Sequence, residues 1–288
     1  MLFKRKLYQK LLKWKEISAG SSALLIEGAR RIGKSTIVEE FAKTEYDDYM
    51  LLDFARESTD IKDNFINNIN DLDTFFRNLF LLKGRSLHGK NCVIIFDEVQ
   101  LFPWARQAIK YLVQDGRYEY IETGSLISIH KNVQNILIPS EEYKLKMYPM
   151  DFEEFMMANN VSVTTLDMLN EKFKNASPVD EFVHQKLLSM FFVYLIVGGM
   201  PDAVKTYIET KDIREVDKVQ RDITTLYKED FSQYEIEDRK LKLKSIYDII
   251  PAELNKQNKK FVFTMLDKEL KFDRYENSFL WLKDAGVA

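Results

Sequence analysis

The sequence predicts an α/β fold, a parallel sheet with helices on both faces, followed by a smaller all-helical part. Over the first 150 residues, strand-length apolar runs alternate with stretches of helical periodicity. A glycine-rich turn joins the first such run directly to a helix. Past Pro149, strand-like alternation all but ceases. The 288 residues are 45% hydrophobic and 30% charged with 10 Gly and 6 Pro, which fits one large domain plus a smaller one and excludes a collagen-like or disordered chain.

The elements follow in order. Leu7, Leu11, Leu12 and Trp14 recur at helical intervals among lysines, so the basic N-terminus reads as an amphipathic helix rather than a signal peptide. Residues 18–22 form a loop, and 23–27 are a short apolar strand. A helix through 36–42, a strand at 49–53, helical periodicity over 72–82 and a strand at 92–96 come next, then a helix after Pro103 and strands at 118–123 and 143–147. Beyond residue 150 the most apolar stretch, 187–200, is too short to span a bilayer, which needs about 18 to 20 residues, and is expected to be a buried helix broken by Gly198-Gly199-Met200-Pro201. A helical stretch from about 202 to 231 and helices at 241–250, 251–256 and 275–283 complete the chain.

Charge and rare residues narrow the function. Forty-two Lys and Arg against 45 Asp and Glu give a net charge of -3, which excludes nucleic-acid wrapping by global charge. The single cysteine, Cys92, offers no disulfide framework or cysteine metal site, and His88, His130 and His184 lack the spacing of a helical metal site. A reducing, cytoplasmic setting without membrane association is expected.

The chemistry is carried by Gly28-Ala29-Arg30-Arg31-Ile32-Gly33-Lys34-Ser35-Thr36, which fits G-x-x-x-x-G-K-[ST] at every fixed position and lies between a predicted strand and a predicted helix. Such a loop turns on its glycines to aim successive backbone N–H groups at phosphate oxygens, and the helix N-terminus adds positive potential. Lys34 is expected to bridge the β- and γ-phosphates, Ser35 to offer its hydroxyl to Mg²⁺, and Thr36 to support the α-phosphate. A second apolar strand ends in Asp97-Glu98. Asp97 suits the metal through water, and Glu98, pointing the other way, suits polarisation of an attacking water. The next strand ends in Glu122-Thr123-Gly124-Ser125, where Thr123 first and Ser125 second could hydrogen-bond that water or the γ-phosphate, or simply form a turn and N-cap. Asp53 reads as a strand-end turn residue. No N-K-x-D or T-K-x-D element reads guanine, which favours ATP.

These residues resemble the prokaryotic AAA+-type P-loop ATPases, close to the signal-transduction branch, that pair an ATPase core with a C-terminal half of unknown function. The resemblance rests on residues 28–36, 96–100, 123–125, 148–155 and 198–201 and spans most of the chain. It implies a P-loop NTPase core with a five-stranded sheet of order 5-1-4-3-2, a helical lid, a winged-helix element, and ATP with Mg²⁺ as ligands. The expected organisation is a core over 1–150, a lid over 151–235 and an incomplete winged helix over 236–288. Members often carry Gly-Arg before the segment matching 148–155, where this chain has Ile138-Pro139-Ser140-Glu141-Glu142. Arg30, Arg31, Arg106 and Arg117 remain as other arginines for the γ-phosphate, each with a surface role as the plainer reading. The chain ends where a wing hairpin is expected, as in a truncated or split member.

Two features bear on partners. Between residues 239 and 260 seven Lys or Arg stand against two Asp or Glu, a local charge of +5 that admits DNA contact, although lysines on a helix are more often merely solvated. Tyr247, Phe261, Phe263, Tyr275 and Trp281 lie among apolar neighbours as core residues rather than a stacking platform. The expected function is an ATP-driven switch with slow hydrolysis. The alternatives are a small-molecule kinase and a non-hydrolysing regulatory module that binds an unknown protein or self-associates.

Overall fold

The computed structural model describes residues 2–18, 20–125, 140–234, 237–257, 261, 275–284 and 286. The elements are α1 (Leu7–Ser18), β1 (Ala23–Gly28), α2 (Lys34–Glu45), β2 (Asp48–Asp53), α3 (Thr59–Asn68), α4 (Leu72–Lys83), β3 (Cys92–Asp97), α5 (Pro103–Asp115), β4 (Glu119–Ser125) and β5 (Glu142–Lys146). There follow α6 (Phe152–Ala158), α7 (Val163–Lys174), α8 (Glu181–Val197), α9 (Pro201–Thr210), α10 (Ile213–Tyr234), α11 (Glu237–Leu254) and α12 (Glu276–Asp284).

The five strands form one sheet of order β2-β3-β4-β1-β5 with every pairing parallel, which is the expected 5-1-4-3-2 order read from the other edge. Strands β1 and β3 read as unbroken apolar runs because both of their faces are buried. Alternate residues divide between two cores. Leu24, Ile26, Val93, Ile95 and Ile121 pack under α1 and α2, whereas Leu25, Ile94, Phe96 and Tyr120 pack under α3, α4 and α5. The edge strand β5 has charged and half-exposed residues, which discourages pairing with another sheet.

The C-terminal helices close over the first face: Ile223 and Tyr227 of α10, Leu243 and Ile246 of α11 and Leu282 of α12 share its core with α1 and α2. Tyr247, Phe261 and Tyr275 pack against that core. A third cluster joins Met150, Phe155 and Ala158 to Val197, Ala203, Val204 and Val216. Gly199 makes that junction possible. A Cβ there would lie 2.0 Å from the Met150 carbonyl oxygen, and the Gly199 carbonyl accepts from Met150 N–H at 2.7 Å.

Three expectations are corrected. The apolar stretch 187–200 is not a buried helix. Of α8 only Val197 is fully buried, and Phe192, Leu195 and Ile196 are more than half exposed, because apolar residues surround the helix while, among the described residues, α6, α9 and α10 pack against one side of it. Residues 241–250 and 251–256 are not two helices. α11 runs through Pro251, which gives up one donor to the carbonyl four residues back, and Asn255 N–H still reaches the Pro251 carbonyl at 3.2 Å. Arg106 is not a surface residue, since it lies buried with Nε and Nη2 on the two Glu142 oxygens at 2.7 and 2.8 Å. Of the expected winged-helix region, α11 and α12 are described, and His130, Ile138, Pro139, Phe263 and the Trp281 side chain lie outside the described residues.

Candidate functional site

The glycine-rich loop connects β1 to α2 at the carboxyl edge of the sheet, where open α/β sheets bind ligands. Gly33 caps α2 with φ 91°, a left-handed conformation open to glycine at no steric cost. α2 begins at Lys34, so the amides of its first turn lack intrahelical acceptors and point towards the loop. Ala29 and Ile32 are buried and anchor the loop in the core beneath it, whereas Arg30, Arg31, Ser35 and Thr36 are exposed.

Lys34 is buried, and its Nζ donates to the carbonyls of Gly28 at 3.1 Å and Ala29 at 2.8 Å. The loop thus curls around the ammonium. Burial pushes its pKa down to about 8, against the pull of the Glu98 and Asp97 carboxylates. Asp97 ends β3, and its Oδ1 accepts from Ser35 Oγ at 2.9 Å and from Thr123 Oγ1. Burial pushes the Asp97 carboxyl up, while the two hydroxyls hold it down. Thr123 lies one position beyond the Phe96–Glu122 pair, fully buried on the neighbouring strand, so in this structure its hydroxyl serves Asp97. Ser125, also buried, pairs in register with Gly28, and its N–H donates to Gln100 Oε1 at 3.3 Å.

Glu98 does not continue the strand as the sequence reading expected. It stands just past the strand end in the left-handed region, φ 57°, and opens a short 3₁₀ turn. For a non-glycine residue that conformation is uncommon, and here it turns the half-buried side chain towards the cleft that Lys34 and Ser35 also line. Gln100 Nε2 donates to Glu98 Oε2. Asp53 caps a turn through its Oδ1 and Ala55 N–H at 3.0 Å, as its strand-end position predicts.

The cleft measures about 900 Å³ and runs from the loop between the N-terminal segment and α2, with Arg5, Tyr8, Gln9 and Glu40 on its walls and Pro201 and Asp202 at its rim. That volume is of nucleotide size. Arg5 was not legible in the sequence. Its Nη1 donates to the Ile32 carbonyl at 2.8 Å, its Nη2 to the Tyr148 carbonyl at 2.6 Å, and its Nε pairs with Glu154 at 3.1 Å. Glu154 closes a capping box with Asp151 at the start of α6, and the D-x-x-E pattern of residues 151–154 is the signal that would have found it. Among the other arginines, Arg30 pairs with Asp230, Arg31 approaches Asp202 at 3.9 Å, and Arg117 pairs with Asp73 and Asp115 away from the loop.

Aligned main-chain donors, a buried lysine and a hydroxyl beside a strand-end carboxylate form a site for a hard oxyanion and an oxygen-seeking divalent cation. On a parallel sheet of this order they define a P-loop NTPase. Residues 20–156 match the family model described as an AAA domain. Residues 189–288 match a domain of unknown function. A Walker-type ATPase of Pyrococcus abyssi is similar in fold, with a TM-score of 0.56 and 13% identity over 99% of this chain and 90% of that one. AMPPCP-bound DnaA from Aquifex aeolicus aligns at a TM-score of 0.41 and 10% identity, over 99% of this chain and 90% of that one. No curated protein matches the chain at a significant level. Among the described residues no helix is long and apolar enough to cross a membrane.

Proposed function

We propose that the loop binds Mg-ATP and that the chain hydrolyses it slowly as a conformational switch. The observation that carries this reading is the Lys34–Ser35–Asp97–Thr123 arrangement, in which one lysine and a hydroxyl-bonded carboxylate meet at the mouth of an oxyanion cradle. On this reading the amides of residues 33–36 and Lys34 bind the phosphates, and Ser35 and Asp97 hold the cation, Asp97 through water. The cation supplies charge neutralisation between the phosphates. Thr123 orients Asp97. Glu98, freed from Gln100, accepts a proton from the attacking water.

The hold of Gln100 on Glu98 favours a second reading, a nucleotide-binding regulatory module with little turnover until a partner withdraws the amide. DNA association has thinner support, since Lys242 lies over the Tyr275 ring and Lys256 pairs with Glu253 rather than standing free for phosphate. The division into a core over 1–150, a lid over 151–235 and a region over 236–288 belongs to the same proposal, as does a cytoplasmic location.

Phosphate release from ATP, measured with Mg²⁺ for the parent, Glu98→Gln and Lys34→Ala, tests the reading. Glu98→Gln should bind ATP as the parent does and lose turnover by about a hundredfold or more, and Lys34→Ala should lose binding. Equal turnover in the parent and Glu98→Gln would remove Glu98 from the chemistry. Binding without turnover in the parent would favour the regulatory module.

A further inference from the structure

The C-terminal region engages the phosphate loop through α10. Arg30 Nη1 pairs with Asp230, whose side chain is 6% exposed, and Tyr227, on the same face of α10 three residues earlier, donates its hydroxyl to the Arg30 carbonyl at 2.8 Å. Burial pushes the Tyr227 phenol up to about 12, so it remains a donor throughout the neutral range. α9 adds a weaker contact from Asp202 to Arg31. Each basic side chain of the loop therefore faces protein oxygens: Arg30 an aspartate, Arg31 an aspartate at longer range, and Lys34 two carbonyls.

We infer that Asp230 is a positioning residue that competes with nucleotide phosphate for Arg30, so that filling the loop releases the end of α10 and the C-terminal region senses occupancy. The inference rests on the nucleotide reading above. Two anions and one guanidinium meet at the loop. A polyphosphate arriving there brings negative charge towards a nearly buried carboxylate, where repulsion is poorly screened. Arg30 then shifts towards the ligand, and Asp230 loses the partner that stabilises its charge in the protein. Because such coupling is reciprocal, anything that draws α10 off the loop tightens nucleotide binding, and nucleotide loosens α10. A partner of the C-terminal region thereby gains a route to the phosphate site.

The test measures affinity for a fluorescent ADP analogue with Mg²⁺, and for inorganic tripolyphosphate by displacement, in the parent, Asp230→Asn, Arg30→Gln and the double variant. Asp230→Asn keeps the shape and removes the charge, so it should bind about fivefold tighter, and that gain should fall away in the Arg30→Gln background. A passive brace predicts unchanged or weaker binding in Asp230→Asn, and either result would overturn the competition. An undiminished gain in the double variant would overturn the route through Arg30. If Asp230→Asn fails to fold, amide hydrogen exchange of the parent decides: residues 223–234 should exchange faster with Mg-ADP bound, and slower or unchanged exchange would overturn the inference. A parent that binds neither probe would instead sink the nucleotide reading, and this inference with it.

Discussion

Lys34 carries its charge where the protein resists it. Its ammonium is buried, donates to two loop carbonyls among the described residues, and has its pKa brought down to about 8 by burial. Phosphate binds the protonated amine, so affinity must fall as pH rises through that value. From pH 7 to pH 9 the protonated fraction of the free loop drops from about nine-tenths to about one-tenth, and Kd for an ADP analogue should rise by roughly tenfold. A fluorescence titration at pH 7, 8 and 9 checks this, and a flat affinity would show that Lys34 keeps its proton across the range. The loop itself was legible in the sequence because its function depends on main-chain geometry, which needs fixed residue types at fixed spacing. Arg5, Tyr227 and Asp230 were not legible. Arg5 meets the Tyr148 carbonyl 143 positions away, and Tyr227 and Asp230 meet Arg30 across about 200 residues, contacts that leave no local pattern.

At the scale of elements, the backbone contact at Gly199 joins the segment after β5 to the C-terminal helices. Gly199→Ala places a methyl group against a carbonyl that cannot swing aside, because Met150 is itself buried and hydrogen-bonded back to residue 199. Overpacking of this kind costs about 2 kcal/mol or more, so the variant should melt several degrees below the parent in a calorimetric scan, and an unchanged melt would mean that the segment yields freely. The glycine pair was visible in the sequence as a helix break, whereas the close approach that requires the second glycine was not. The same limit explains α8. Apolar composition reports what a helix would gain from burial, but coverage depends on neighbours, and the described residues leave Phe192, Leu195 and Ile196 more than half exposed. Strands β1 and β3 were legible because helices on both faces demand continuous apolarity, and β5 because its charge alternation matches an edge.

For the whole molecule, the most consequential titration is at Glu122, in the middle of the sheet. This residue is 0% exposed and neither carboxyl oxygen has a hydrogen-bond partner among the described residues, because Arg106 is committed in bidentate fashion to Glu142. Burial raises its pKa well above the ordinary carboxylate range, the Glu142 charge reinforces the shift, and Arg106 and Lys144 oppose it. The folded protein therefore keeps a proton that the unfolded chain releases near pH 4.5. With the folded pKa raised, the associated stability is fully present below the unfolded pKa and is lost as pH rises towards the folded one, at up to about 1.4 kcal/mol per pH unit. Glu122→Gln is neutral in both states and escapes that loss, and its amide can donate to a neighbouring carboxylate. Its melting temperature relative to the parent should thus climb by a few degrees per unit between pH 5 and pH 7, a trend that parallel scans at pH 5, 6 and 7 will resolve. A difference constant with pH would mean that Glu122 is ionised in the folded protein and that Arg106 serves two carboxylates instead of one.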